Sequence, residues 1–216
     1  VKLFIRSIPP YGYKSLLTAD VVVISDSAMF AREIPSICYG LRGLVYYQID
    51  LRGTKSDLHS GVFGGAMANP AFVLSQMLSQ MKDKSGRIKI DGFYDDVVAL
   101  REEERAEWQK LPFNEKKYRQ ELGAPKLFGE TGYSTLERVW GRPTFEVNGL
   151  LSGFTGEGPK TVLPAVAMAK VSMRLVPNQD PKKIGDLLET YLQKVTPKTV
   201  ELKITRMHGG KPWMTE

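Results

Sequence analysis

Of 216 residues only two are histidine, and one of them, His59, stands in SDLHSGVFGG (56–65), between a strand-like run and a cluster of glycines. An imidazole there could donate a hydrogen bond to an oxyanion developing on a substrate, with the glycines letting backbone approach closely. A histidine in a surface turn would look the same, and the residues leave both readings open. Ser60 beside it has no acid at the spacing of a catalytic triad, which argues against a serine hydrolase. Asp26 ends the β-branched run ADVVVISDS (19–27), where a carboxylate can ligate a metal. Position alone favours a helix cap or turn, and no H-x-D or H-E-x-x-H stands near to complete a metal set. Arg174 shares the polar face of a strand with Lys170 and Ser172, where it either clamps a carboxylate bidentately or faces water. GFTGEGPKTVLP (153–164) is a glycine-rich loop without the G-K-[ST] ending of a phosphate loop, and reads more as a turn than as an anion site. His208, in MHGGKPW (207–213), repeats the glycine-rich surroundings of His59.

These groups need a scaffold, and the patterning supplies one. Residues 44–53 alternate as a half-buried strand with Val45, Tyr47, Ile49 and Leu51 on one face. Asn69 and Pro70 start a helix carrying Leu74, Met77, Leu78 and Met81, which Ser85 and Gly86 end. Strands follow at 144–150 and 165–176, the second with Ala165, Ala167, Ala169, Val171, Met173 and Leu175 facing one way. Asp180 and Pro181 cap a second helix bearing Ile184, Leu187, Leu188, Tyr191 and Leu192, and residues 199–207 alternate as a last strand. The order strand, helix, strand, strand, helix, strand predicts an α+β, ferredoxin-like domain: a four-stranded antiparallel sheet with two helices on one face. An insert, residues 87–143, interrupts it; DDVVALREEERAEWQKL predicts a helix there, with REEER as a solvated face. ADVVVISDS predicts a strand buried on both faces, outside this domain.

Composition narrows the partners. The net charge of +6 divides as +2, +1 and +3 over residues 1–60, 61–145 and 146–216, a diffuse excess rather than the basic stripe that phosphate backbones require, so no nucleic-acid partner is expected. No window reaches eighteen uninterrupted apolar residues and the N-terminus lacks the pattern of a signal peptide, so no membrane partner is expected. The single cysteine, Cys38, excludes an internal disulfide and suits the cytoplasm.

VVVISDS, YGLRG, DLHSGVFGG, GEGPKTVLP, SMRLVPNQDP and HGGKPW occur in one order across nearly the whole chain. Together they resemble the zinc metallopeptidases that include cytosolic nonspecific dipeptidase, carnosinase, aminoacylase and succinyl-diaminopimelate desuccinylase, and within them the dipeptidase branch. The resemblance implies a homodimeric dipeptidase in which two divalent ions, zinc or manganese, activate a water, with a ferredoxin-like lid domain interrupting the catalytic domain. Residues 1–43 would end a catalytic segment, 44–207 would be the lid and dimerisation domain, and 208–216 would begin the return. The resemblance makes Asp26 a metal ligand and His59 the lid histidine that reaches the partner subunit's site and holds the tetrahedral intermediate. It gives Thr161, Arg174 and His208 substrate contacts, Arg174 through the substrate carboxylate. The family's H-x-D and paired glutamates would precede residue 1 and its last ligand histidine would follow Glu216, so the resemblance implies that this stretch alone is inactive and binds no metal. IRSIPPYGYK (5–14) departs from the family, which has a helix there; adjacent prolines disfavour one. Two alternatives stay open: an N-acyl amino acid amidohydrolase of the same family, and a non-catalytic ferredoxin-like module binding RNA through stacked aromatics such as Tyr46 or Tyr47.

Overall fold

The computed structural model describes residues 19–21 and 29–215. Asp26, most of the strand expected over 19–27, and residues 5–14 lie outside the described residues. The chain divides into two compact units, Val1–Cys38 and Tyr39–Glu216. In the first, a tight turn closes with Ile34 N–H donating to Ala31 O at 3.1 Å.

The second unit is built on a four-stranded antiparallel sheet. β1 (Gly40–Leu41) leads into β2 (Gly43–Arg52), which is followed by β3 (Leu58–His59) and two helices, α1 (Ser60–Phe63) and α2 (Pro70–Gln80). The insert contains α3 (Glu102–Gln109), α4 (Glu115–Glu121) and α5 (Thr135–Trp140). β4 (Thr144–Ser152), β5 (Val162–Leu163), β6 (Val166–Leu175), α6 (Pro181–Val195), β7 (Glu201–Gly210) and β8 (Trp213–Met214) complete the chain. The strand order in the sheet is β4-β6-β2-β7, with every neighbouring pair antiparallel.

β2 alternates as its sequence does, burying Val45, Tyr47, Ile49 and Leu51. The same core takes Leu74 and Met77 from α2 and Ile184, Leu188 and Leu192 from α6, so both helices cover one face of the sheet. Each such side chain stabilises the fold by about 1.5–3 kcal/mol, an upper figure because unfolded chains already hide some surface. The caps are those the sequence implies: Asn69 accepts from Ala71 N–H at 2.9 Å, and Asp180 from the N–H groups of Lys182 and Lys183. One residue too many on each of two strands makes a bulge: Met207 on β7, and Asn148 on the edge strand β4.

The insert departs from expectation. Its helix covers only Glu102–Gln109, because residues 91–96 form turns in which Val97 N–H donates to Tyr94 O and Asp96 is drawn to Lys183 at 2.7 Å. REEER is not simply solvated: Glu104 accepts from Tyr39 Oη, and Arg105 donates to buried Glu137 at 2.7 Å. Glu137 also caps α5 reciprocally with Ser134. Burial alone would raise the Glu137 carboxyl, yet Arg105 and the Ser134 N–H outweigh it and hold the group below its ordinary value. Glu130 takes a bidentate bond from buried Arg142 at 2.7 and 2.9 Å, which fastens the insert to the start of β4.

Candidate functional site

The loop after β2 folds back on itself. β3 pairs antiparallel with β5, setting His59 opposite Val162, and Ser60 N–H donates to Thr161 O at 3.1 Å. His59 caps α1: its Nδ1 accepts from Gly61 N–H at 3.1 Å. A neutral imidazole that accepts at Nδ1 carries its proton on Nε2. That nitrogen lies 3.0 Å from Thr161 Oγ1, so Nε2–H donates to the hydroxyl and the hydroxyl proton is left to aim elsewhere. Gly61 leaves room for the ring: a Cβ on it would sit 3.0 Å from His59 Cε1, so the imidazole would have to give by a few tenths of an ångström. Both side chains are exposed, and with Nε2–H spent on Thr161 Oγ1 the pair has one free donor, the threonine hydroxyl, beside an N–H that could turn to a developing oxyanion only by leaving the threonine.

Asp57 fixes this pair. Its Oδ1 accepts from the buried Ala165 N–H at 2.8 Å, tying the β3 loop to the start of β6, while Gly53 N–H donates to Ala165 O at 2.9 Å. No pattern around Asp57 had assigned it a role. It stands inside the DLHSG motif, and that proximity to His59 is the one signal that could have singled it out.

Arg174 and His208 stand on the four-stranded sheet, not on the two-stranded β3-β5 pair that carries His59. On β6, Val166 faces Arg52 of β2 while Arg174 faces Leu44, a separation of eight residues or about 26 Å along the strand. Arg174 is exposed, with Leu44 and Thr144 as cross-strand neighbours. His208 lies on β7 opposite Tyr46, and the two rings stack at 5.2 Å and 16°. Leu44, Tyr46, Arg174 and His208 alternate out of phase with the core residues, so they share the face of the sheet that the helices leave open. Tyr47, by contrast, is buried, its hydroxyl donating to Glu189 at 2.9 Å; burial and that carboxylate raise its phenol above the ordinary value. Only one of the two adjacent tyrosines is therefore on the open face.

Half-buried Arg42 was missed as well. It precedes β2 in YGLRG, and its guanidinium is made less basic first by burial and then by the nearby charge of Arg174. Among the described residues, no three His, Cys, Asp or Glu side chains converge as a metal site would need, so those residues do not by themselves fit a metal centre. No helix among them is long and apolar enough to cross a membrane.

Residues 39–200 match the family described as the peptidase dimerisation domain of the M20 peptidases. Among curated proteins the chain is 34% identical over 200 residues to the Cys-Gly metallodipeptidase of Candida albicans, covering 91% of this chain and 41% of that protein. It is 31% identical over 198 residues to the human Beta-Ala-His dipeptidase, covering 90% and 39%. Among solved structures, the M20 family metallo-carboxypeptidase of Sulfolobus solfataricus superposes with a TM-score of 0.79 at 34% identity, over 94% of this chain and 46% of that one. Human carnosine dipeptidase 1 superposes at 0.76 and 30% identity, over 84% and 39%. The chain spans about two fifths of the length of these curated relatives.

Proposed function

The chain belongs to the M20 peptidase family through its dimerisation domain, and from that premise we propose that it is the lid of a homodimeric metallodipeptidase, each lid serving two active sites at once. His59 and Thr161 form the arm that reaches the partner subunit's site, where the threonine hydroxyl donates to the oxyanion of the tetrahedral intermediate and Nε2–H turns to it from Thr161 Oγ1. Arg174 and His208 serve the site of their own subunit, Arg174 taking the free carboxylate of the dipeptide. The observation that carries this reading is where the two groups stand: Thr161 and its partner His59 belong to the β3-β5 pair that leads into the Val166 end of β6, and Arg174 lies eight residues, about 26 Å, further along that strand, so one dipeptide does not bridge them but two copies related by a twofold axis could bring one of each together.

Other features support the finer parts. The order β4-β6-β2-β7, with both helices on one face, supports the ferredoxin-like reading. β4 is an edge strand whose Val147, Leu150 and Leu151 are exposed, a self-complementary edge for the dimer. Residues before about 43 belong, in this reading, to the catalytic domain, with Asp26 a metal ligand and the cytoplasm as location. Among the described residues no set of side chains fits a site for the two zinc or manganese ions.

The test is complementation in the full-length protein with simple dipeptides and, in parallel, N-acetyl amino acids. Assayed at dipeptide concentrations well below KM, His59→Ala and Arg174→Ala each fall about tenfold or more below the wild-type rate; mixed after dissociation and reassociation, half the dimers are mixed and each holds one intact site, restoring about a quarter of the wild-type rate. A mixture no more active than its components overturns the trans reading. Turnover of N-acetyl amino acids alone moves the substrate class and leaves the geometry standing.

A further inference from the structure

Within the insert, α4, the loop over 122–127 and α5 border a cleft of about 360 Å³ lined by Glu115, Lys116, Arg119, Lys126, Leu127 and Arg138. Four of these side chains are cations and one is a carboxylate, so a formal charge of +3 faces one depression. Neighbouring cations show what such groups ordinarily do here: Lys110 pairs with Glu107, and Lys117 with Glu121 at 3.7 Å. Among the described residues, none of the four cations lining the cleft has a carboxylate partner. Glu115 makes no ion pair either; its Oε1 accepts from the hydroxyl of buried Thr135 at 2.5 Å.

The chain holds both guanidiniums in place without neutralising them. Arg119 donates from Nη1 to Pro125 O at 2.9 Å, just past the end of α4, and Arg138 from Nε to Glu130 O at 2.9 Å. Each carbonyl takes a single N–H, which leaves the rest of each fork for a ligand. The stem of Arg138 is seated as well, since a Cβ on Gly129 would lie 2.5 Å from its Cδ and the stem would have to shift. The Glu115–Thr135 bond ties the first turn of α4 to the first turn of α5, and Lys116 and Arg119 stand three residues apart on one face of α4. Both arginines are half-buried, so each gives up part of its hydration with no counter-ion in return, a cost that a bound anion offsets.

We propose that this cleft is a binding site for a small phosphate monoester. Planar guanidinium forks match the oxygens of a phosphoryl group bidentately, and the two exposed lysines add point charges. At neutral pH a phosphate monoester carries a charge of about −1.5 to −2, which offsets most of the excess in the cleft, whereas a monocarboxylate leaves the greater part of it standing. The volume is that of a small-molecule site rather than of a macromolecular surface. His59, Thr161, Arg174 and His208 do not line it, so the proposal is independent of the catalytic reading.

The experiment is an NMR titration of the arginine Nε–Hε resonances of the 216-residue chain with methyl phosphate at neutral pH in about 0.1 M chloride, with inorganic phosphate and acetate as parallel arms. The expected result is that Arg119 and Arg138 shift along one saturating curve with methyl phosphate, with a Kd of about 1 mM or below, and respond to acetate at least about tenfold more weakly. Lys116→Gln and Lys126→Gln together alter only exposed side chains and should weaken methyl phosphate binding about tenfold. Absence of saturation below about 20 mM, or an equal response to acetate, overturns the proposal by showing general screening in place of a site. An affinity within about twofold of the parent in the double lysine variant overturns it too. Binding of inorganic phosphate without methyl phosphate overturns the assignment to a monoester.

Discussion

In the loop that pairs β3 with β5, His59 is held inside its own chain by Gly61 N–H and Thr161 Oγ1, with Asp57 tying the loop to Ala165; at the Gly43 end of the four-stranded sheet Arg42 and Arg174 have no hydrogen-bond acceptor or ion-pair partner among the described residues. The first end is wired before any ligand arrives, and its polar atoms are already paired. The second keeps two positive groups unpaired. Oxyanion stabilisation gains from a donor fixed in advance, since reorganisation at the moment of reaction weakens it, whereas reading a ground-state carboxylate gains from charge left unneutralised until substrate binds.

The contrast can be broken in measurable steps on the full-length protein. The largest effect belongs to His59→Ala, which should lower kcat about a hundredfold to a thousandfold with the dimer intact by light scattering, and change KM little. A loss confined to KM would show that the two ends do not divide the labour as described. Arg174→Gln should do the reverse, raising KM about tenfold to a hundredfold while kcat holds, because a charge-assisted bond present in ground and transition states alike is removed. Thr161→Val should cost kcat about fivefold to tenfold in steady-state assays, since Nε2 keeps its proton but loses the neighbour that orients it.

Asp57→Ala sharpens the same comparison without touching a reacting group. It leaves the buried Ala165 N–H without its acceptor and should lower stability in urea by about 1 kcal/mol. The smallest effect lies away from both ends. Glu137, depressed below its ordinary 4.5, contributes stability that is complete above that value and lost as pH falls through the lower, folded one. Trp108 and Trp140, packed edge to face at 5.4 Å on α3 and α5, should report loosening of the insert below about pH 4.5 by fluorescence, and Glu137→Gln should flatten that response. Activity should follow neither change until the sheet itself unfolds.

The sequence was most legible where the pattern is local. Val45, Tyr47, Ile49 and Leu51 reveal their face by a period of two, and Asn69-Pro70 and Asp180-Pro181 announce their helices because a cap and its helix lie within four residues of one another. The insert was read less well: its apparent long helical pattern is cut by Asp96 and by turns whose partners, Lys183 and Tyr94, no window around the helix contains. Thr161 was named through resemblance, since nothing in its own loop distinguishes it from a turn threonine.

What the sequence determined by itself was therefore the set of elements, their buried faces and their order, all consequences of backbone periodicity and neighbouring side chains. Only the tertiary structure decided that His59 meets Thr161 across 102 residues, that Asp57 reaches Ala165 across 108, and that Arg174 lies opposite Leu44 on a different sheet from His59. The physical reason is register. Which residues face one another across antiparallel strands depends on how distant segments slide together to bury their apolar faces, and a shift of a single residue would turn every one of these groups to the wrong side.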